Sequence, residues 1–380
     1  MLATLPPLSL YLHIPWCVRK CPYCDFNSHA QQGELPEAAY VAALLQDLEQ
    51  DLHYVQHRQL QSIFIGGGTP SLFSAAAYRT LLQEIAARIP FAADIEITLE
   101  ANPGTFEQHK FAGYRAAGIN RLSIGIQSFD PAQLRRLGRI HDAGEALRAA
   151  DIARRAGFDN FNLDLMFGLP DQDMDAALQD LRTALACQPT HLSWYQLTIE
   201  PNTEFFSRPP SLPQDDAIAA MQEAGIALLA GEGFQRYEIS AYSQQDRQAR
   251  HNLNYWQFGD YLGIGAGAHG KLTVADSGSI LRTRKTRMPT HYLDPARAFT
   301  AETKPVPVAE LPLEFMMNAL RLTEGVPLDC YEARTGEAAS TLQPALEDLR
   351  RRGLLTADAT RLQPSPLGLQ HLNAVLLAFL

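Results

Sequence analysis

The sequence predicts an α/β protein: a partial (βα)6 barrel followed by a small, winged-helix-like α+β domain at the C-terminus. Three observations carry this reading. Short β-branched runs alternate with amphipathic helical runs from Leu8 to about Ser240. That spacing suits a parallel sheet covered by helices, wound by right-handed crossovers. Polar or glycine-rich residues stand at the C-terminal ends of successive expected strands, where βα barrels place their active sites. A proline-rich stretch, Pro305–Pro312, then separates this region from a helix–turn–helix–hairpin pattern.

The units follow in order. Leu8–Ile14 reads as a strand and Glu37–His57 as a helix; Ser62–Ile65 is followed by Ala75–Arg88, and Ile95–Glu100 by Thr105–Ala117. Arg121–Gln127 leads into helical pieces at Asp130–Leu137 and Gly144–Ala156. Asn160–Phe167 pairs with Met174–Ala186, and His191–Thr198 with Asp215–Gly231; Arg236–Ser240 is a candidate extra strand. The expected domains are therefore a barrel core over 1–240, a connecting region over 241–304 and a C-terminal domain over 305–380. The connecting region carries His251-Asn252-Leu253-Asn254-Tyr255-Trp256 and the glycine-rich run Gly263–Gly270, and it reads as less regular. In the last domain, helices are expected at Leu313–Thr323, Asp329–Thr335, Thr341–Arg352 and Ser365–Leu380. Leu354–Ala357 and Arg361–Gln363 are expected to form a short hairpin.

Composition excludes several function classes. Across 380 residues, 32 Lys+Arg stand against 42 Asp+Glu, a formal charge of −10, so a general nucleic-acid binder is not expected. From Pro305 onward six Arg and no Lys oppose nine acidic residues, which also argues against a DNA-binding winged helix. No apolar run approaches the roughly 20 residues of a membrane span. The N-terminus has no Lys or Arg before Arg19, and Pro6 and Pro7 interrupt any apolar segment. No signal or transit peptide is expected, and the cytoplasm is the expected compartment.

Three of the five cysteines fall within eight residues, Cys17-Val-Arg-Lys-Cys21-Pro-Tyr-Cys24. Three thiolates on one loop after a strand can hold three corners of a cuboidal iron–sulfur cluster, leaving one iron open to a chelating ligand. The same spacing admits structural zinc, with His13 completing a Cys3His set. Gly66-Gly67-Gly68-Thr69-Pro70 follows the second strand. It is neither a P-loop nor a Rossmann fingerprint, and its glycines let a ligand approach the backbone. Glu100, Gln127 and Asp164 belong to the next three strands and face the same mouth. His53 and His57, at i and i+4, read as a solvated helix face, and Cys187 and Cys330 as ordinary buried thiols.

On these motifs the chain resembles the oxygen-independent coproporphyrinogen III oxidase family of radical S-adenosylmethionine (radical SAM) proteins. The resemblance covers residues 8 to about 240 and 305 to 380. It implies a radical SAM barrel with a [4Fe–4S] cluster on Cys17, Cys21 and Cys24, and S-adenosylmethionine chelated to the open iron. It further implies that Tyr11 lies near the cofactor and that Gly67, Gly68 and Thr69 receive its methionine amino group. Glu100 would lie near the ribose, Gln127 would make a further contact, and Arg139 would pair with the carboxylate through its guanidinium fork. Asp164 matches the acid of the fifth strand. The implied chemistry is one-electron cleavage of the sulfonium, with the protein supplying orientation and protection.

The sequence departs from the oxidases of that family. Their motif continues to a fourth cysteine, where this chain has Phe26, and they carry a longer segment before the tyrosine. These features and the His251–Trp256 motif match a shorter branch of haem chaperones. The resemblance then implies haem as cargo, His251 as a candidate haem ligand beside Tyr255 and Trp256, and a haem-accepting partner protein. It implies an electron donor where the radical chemistry operates, membrane contact only through a partner, and leaves room for a homodimer. The alternative is an oxygen-independent coproporphyrinogen III oxidase, an oxidoreductase. No catalytic acid or base is assigned on either reading.

Overall fold

The structure is a computed structural model that describes residues 4–104 and 108–380. Strand β1 (Leu8–Ile14) is buried along almost its whole length, the signature of a strand inside a parallel sheet with both faces covered. It is followed by β2 (Leu60–Gly67), β3 (Phe91–Ala101), β4 (Arg121–Gln127), β5 (Phe161–Phe167) and β6 (His191–Gln196), each parallel to the one before. The expected six-unit barrel is thus present. Its helices are α1 (Glu37–Asp51), α2 (Ala75–Arg88), α3 (Phe111–Ala116), α4 (Pro131–Arg136), α5 (Ala143–Arg155), α6 (Met174–Ala186) and α7 (Asp215–Gly231). Four of them begin at side-chain caps. Ser74 accepts the Ala77 N–H, Asp130 the Ala132 N–H, Asp173 the Ala176 N–H, and Asp142 closes a reciprocal capping box with Glu145. The start of the helix expected from Thr105 lies outside the described residues.

The largest difference from expectation is the region 241–304. It is not irregular. It contributes β7 (Ala241–Ser243), helix α8 (Arg250–Trp256), β8 (Asp260–Ile264), β9 (His269–Thr273), β10 (Ile280–Lys285) and β11 (Thr300–Pro305). Strand β8 joins the free edge of β1 in parallel, and β9, β10 and β11 extend that side antiparallel. On the far side β7 and the short Gln235–Arg236 strand pair antiparallel beyond β6. The result is one sheet of twelve strands among the described residues, ordered β11-β10-β9-β8-β1-β2-β3-β4-β5-β6-β7 and Gln235–Arg236. The glycine run that reads as a loop is the tight connection that makes this possible. Gly265 and Gly267 have φ of +104° and +86°, and a Cβ on Gly263 would lie 1.9 Å from the His269 carbonyl.

Two buried ion networks tie these added strands to the barrel. Lys285 on β10, fully buried, donates to Asp47 (2.6 Å) and Asp51 (2.7 Å) of α1. Asp260 on β8 accepts from Lys271 (2.9 Å) and Arg58 (2.7 Å). Each of these charged groups has an oppositely charged partner at hydrogen-bonding distance, the condition under which buried charges are tolerated.

The C-terminal region forms its own core around Phe315, Tyr331, Leu346 and Leu349. It contains α9 (Leu311–Ala319), α10 (Asp329–Thr335) and α11 (Ala345–Arg351). The arms of the expected hairpin do meet: Leu355 bridges Pro364 and the Thr356 N–H donates to the Gln363 carbonyl, while Arg361–Leu362 also pairs with Val326–Pro327. The expected last helix breaks at His371. This domain docks on α8 and the loop after it, where Phe258 meets Phe315 (5.4 Å) and Arg321 covers the Trp256 ring (4.3 Å). Among the described residues no helix is long and apolar enough to cross a membrane.

Candidate functional site

Parallel strands send their C-terminal ends to one mouth, and a cavity of about 470 Å3 opens there. Cys17, Cys21 and Cys24 line it, together with Gly67, Gly68, Thr69, Glu100, Gln127, Arg139 and Asp164. Ten of the twelve residues expected from sequence are therefore brought together. Tyr11 and His251 are not on this wall.

The cysteine loop leaves β1 through the two-residue strand Trp16–Cys17, which pairs with His29–Ala30. All three cysteines are free thiols. Burial pushes the Cys17 and Cys24 thiols up. Arg139 Nη1 approaches Cys21 Sγ at 3.6 Å. Asn27 closes the loop by donating to the carbonyls of Ala266 and Arg287, both at 2.9 Å. Among the described residues no three His, Cys, Asp or Glu side chains converge on a single-ion position. His13 is also engaged at both ring nitrogens, by Tyr11 Oη and the Asn27 carbonyl, each at 2.9 Å. The zinc alternative needs four donors about 2.0–2.3 Å from one point and is not supported. A cuboidal cluster instead takes one thiolate per iron corner and does not need the three sulfurs to meet at one point, and all three cysteines line the cavity as free thiols.

The glycine turn is built for close approach. A Cβ on Gly68 would sit 2.5 Å from the Trp16 carbonyl, and one on Gly67, at φ +116°, would strike the His13 ring. Its N–H groups are already used. Gly67 donates to Glu100 Oε2 (3.1 Å), Gly68 to the Ile14 carbonyl (2.7 Å) and Thr69 to the Trp16 carbonyl (2.7 Å). What the turn offers a ligand is carbonyl oxygen, an acceptor suited to an ammonium group.

Glu100 lies on the cavity floor. Burial, reinforced by the nearby Asp164, pushes its carboxyl up to about 8. Asp164 accepts from Ser123 Oγ (2.9 Å) and Asn162 Nδ2 (2.8 Å), and burial raises its pKa as well. Gln127 sits just past a register shift between β4 and β5, at φ +72°, a left-handed conformation uncommon for this residue type. Its Oε1 accepts from Tyr195 Oη at 2.7 Å. Arg139 Nη2 donates to Asn102 Oδ1 (2.8 Å) and the Gly125 carbonyl (2.7 Å), while its buried Nε has no protein partner. A buried, partnerless guanidinium N–H beside the thiols leaves a donor for an anionic ligand.

Sequence reasoning missed Asn102 and Tyr195. Asn102, which also donates to Thr69 Oγ1 (3.3 Å), holds Arg139 against the glycine turn. Its signal was the Glu100-Ala101-Asn102-Pro103 string, which also reads as a helix start. His251 is buried in α8, stacked on Phe64 (4.5 Å, 18°) with Tyr255 edge-on (4.2 Å). Burial lowers its pKa to about 3. Trp256 faces Arg321 and the C-terminal domain instead, so the two rings do not frame one open face beside His251.

Comparison with known proteins places this geometry. Residues 11–184 match the Radical SAM superfamily and residues 306–371 the HemN C-terminal domain. Coproporphyrinogen III oxidase (HemN) from Escherichia coli superposes with a TM-score of 0.82 over 99% of this chain and 90% of that one, at 22% identity, a likeness of fold. The class is thus a radical SAM protein with a HemN-type C-terminal domain. Within it the chain belongs to the HemW family. It is 54% identical to the heme chaperone HemW of Escherichia coli over 99% of both chains. It is 35% identical to the bovine mitochondrial radical S-adenosyl methionine domain-containing protein 1, over 98% of this chain and 87% of that protein.

Proposed function

We propose that this protein is a cytoplasmic haem chaperone that binds haem and passes it to an acceptor protein. In this reading it carries a [4Fe–4S] cluster on Cys17, Cys21 and Cys24, with S-adenosylmethionine at the open iron. The observation that carries the reading is identity of 54%, end to end, with a protein named for haem chaperoning. The oxidase alternative has only the shared fold at 22% identity, and Phe26 stands where the oxidases continue their cysteine motif.

When bound, the reduced cluster supplies one electron to the sulfonium of S-adenosylmethionine. The chain's own residues bind and orient. Arg139 takes the carboxylate, and the carbonyls of the Gly67–Gly68 turn take the ammonium group. Glu100 faces the ribose, and Gln127, held by Tyr195, closes the wall. Tyr11 is set one layer back, where it supports His13 rather than lining the cavity. An electron donor is needed only if cleavage operates in function.

The test is direct. Anaerobically reconstituted protein should hold about four irons per chain, bind about one haem and release it to an acceptor apoprotein. Absorbance of the haem band follows the transfer. The same preparation, with reductant and S-adenosylmethionine, should leave coproporphyrinogen III unchanged. Conversion to protoporphyrinogen IX would establish the oxidase instead.

A further inference from the structure

Beside the cofactor cavity, and sharing Gly67, Glu100, Asp25 and Phe26 with it, lies a second cavity of about 520 Å3. That volume is in the range of pockets that enclose a small organic ligand. Its deep wall is aromatic: Tyr11, Tyr255 and Tyr261 line it, with the last two rings edge to face at 4.4 Å. Phe26, 59% exposed, stands at its rim.

The opposite wall is cationic and carries an imidazole. The antiparallel β9–β10 pairing sets His269 directly across from Arg284, and Arg287 follows just past the end of β10. Arg284 reaches Glu302 only at 3.6 Å, and Arg287 has no carboxylate partner among the described residues. Two histidines line the cavity. His13 is committed at both ring nitrogens. His269 is exposed and makes no side-chain hydrogen bond among the described residues. Partial burial and the nearby Arg284, Arg282 and Arg287 disfavour its imidazolium, leaving a neutral ring with a free lone pair.

An aromatic wall, an available imidazole and two arginines together suit one ligand chemistry: a planar iron tetrapyrrole with carboxylates along one edge. We propose that haem docks in this second cavity, with His269 as its iron ligand and Arg284 and Arg287 receiving the propionates. This rests on the haem-chaperone reading and moves the ligand from His251 to His269. His251 lines neither cavity and packs between Phe64 and Tyr255. Its motif therefore backs the pocket through Tyr255.

The test titrates haemin into the full-length, cluster-loaded protein and follows the Soret band. His269→Ala should shift the band and weaken binding at least tenfold, with iron content and thermal melting unchanged. His251→Phe, which keeps a ring in the stack, should leave the band position as in the wild type. The Arg284→Ala/Arg287→Ala double variant should bind haemin at least tenfold more weakly. It should match the wild type for the haemin dimethyl ester, whose propionates carry no charge. A wild-type Soret band and affinity in His269→Ala, or a shifted band in His251→Phe, overturns the ligand assignment. Equal loss for the free acid and the ester overturns the propionate contacts. Wild-type protein that binds no haem at all sinks the chaperone reading itself.

Discussion

Glu100 illustrates how a single side chain can be set against the fold that holds it. Its carboxyl titrates near 8 in the folded chain, against about 4.3 in an unfolded one. Between those values the folded state holds a proton that the unfolded state has released, so stability falls as pH rises through that window. Glu100→Gln removes the penalty. The ligand-free variant should lose less stability than the wild type between pH 5 and pH 8, read as denaturant midpoints; parallel pH profiles would show that the carboxyl is not held neutral. Arg139 is the counterpart on the binding side. Its unpartnered Nε and its contact with Cys21 point a fixed charge into the cavity. Arg139→Ala should weaken S-adenosylmethionine binding by about 1.5–3 kcal/mol, the worth of hydrogen bonds to a charged group, or roughly tenfold to a hundredfold by calorimetry. Unchanged affinity would remove Arg139 from the carboxylate.

At the scale of elements, what was legible in the sequence was local. Helices α2, α6 and α7 begin and end where their periodicity predicts, and β4 does so to the residue. Caps are part of the reason. Asp142→Ala removes the half of the capping box on α5 in which the side chain accepts the Glu145 N–H and should cost about 1 kcal/mol in a urea melt, with no change in cofactor binding. A cost near zero would mean that packing of the Ala146, Ala149, Ala150 and Ala153 face sets that helix start instead. What was illegible depended on distant partners. Strands β8 and β9 are interrupted by glycines and carry Asp260 and Lys271, residues that argue against a buried strand until each is seen to neutralise the other. The cavity-forming residues were readable because they stand at strand ends. Asn102 and Tyr195 were not, because their role lies in what they hold across the mouth. The position of His251 followed from no local pattern, since a histidine in an aromatic stretch reads the same whether it faces a cavity or the core.

For the molecule as a whole, the late strands close what the first strand begins. Lys285 is the principal link, one ammonium pairing with two aspartates of α1 from more than two hundred residues away. Lys285→Ala leaves Asp47 buried without its charge partner and should destabilise the fold by about 3–5 kcal/mol in chemical denaturation. A loss under 1 kcal/mol would show that water reaches the site and that the network is dispensable. The same long-range closure has a consequence for the newborn chain. The cysteine loop is held by Asn27 against the carbonyls of Ala266 and Arg287. On a ribosome adding 5–20 residues per second, about 240 residues separate the synthesis of Asn27 from that of Ala266, roughly 12–50 s. Throughout that interval the loop has its local pairing of Trp16–Cys17 with His29–Ala30 but lacks its two bonds to the late segments. On the cluster reading proposed above, the three thiols reach their final setting only after Arg287 has been made, within the last quarter of synthesis.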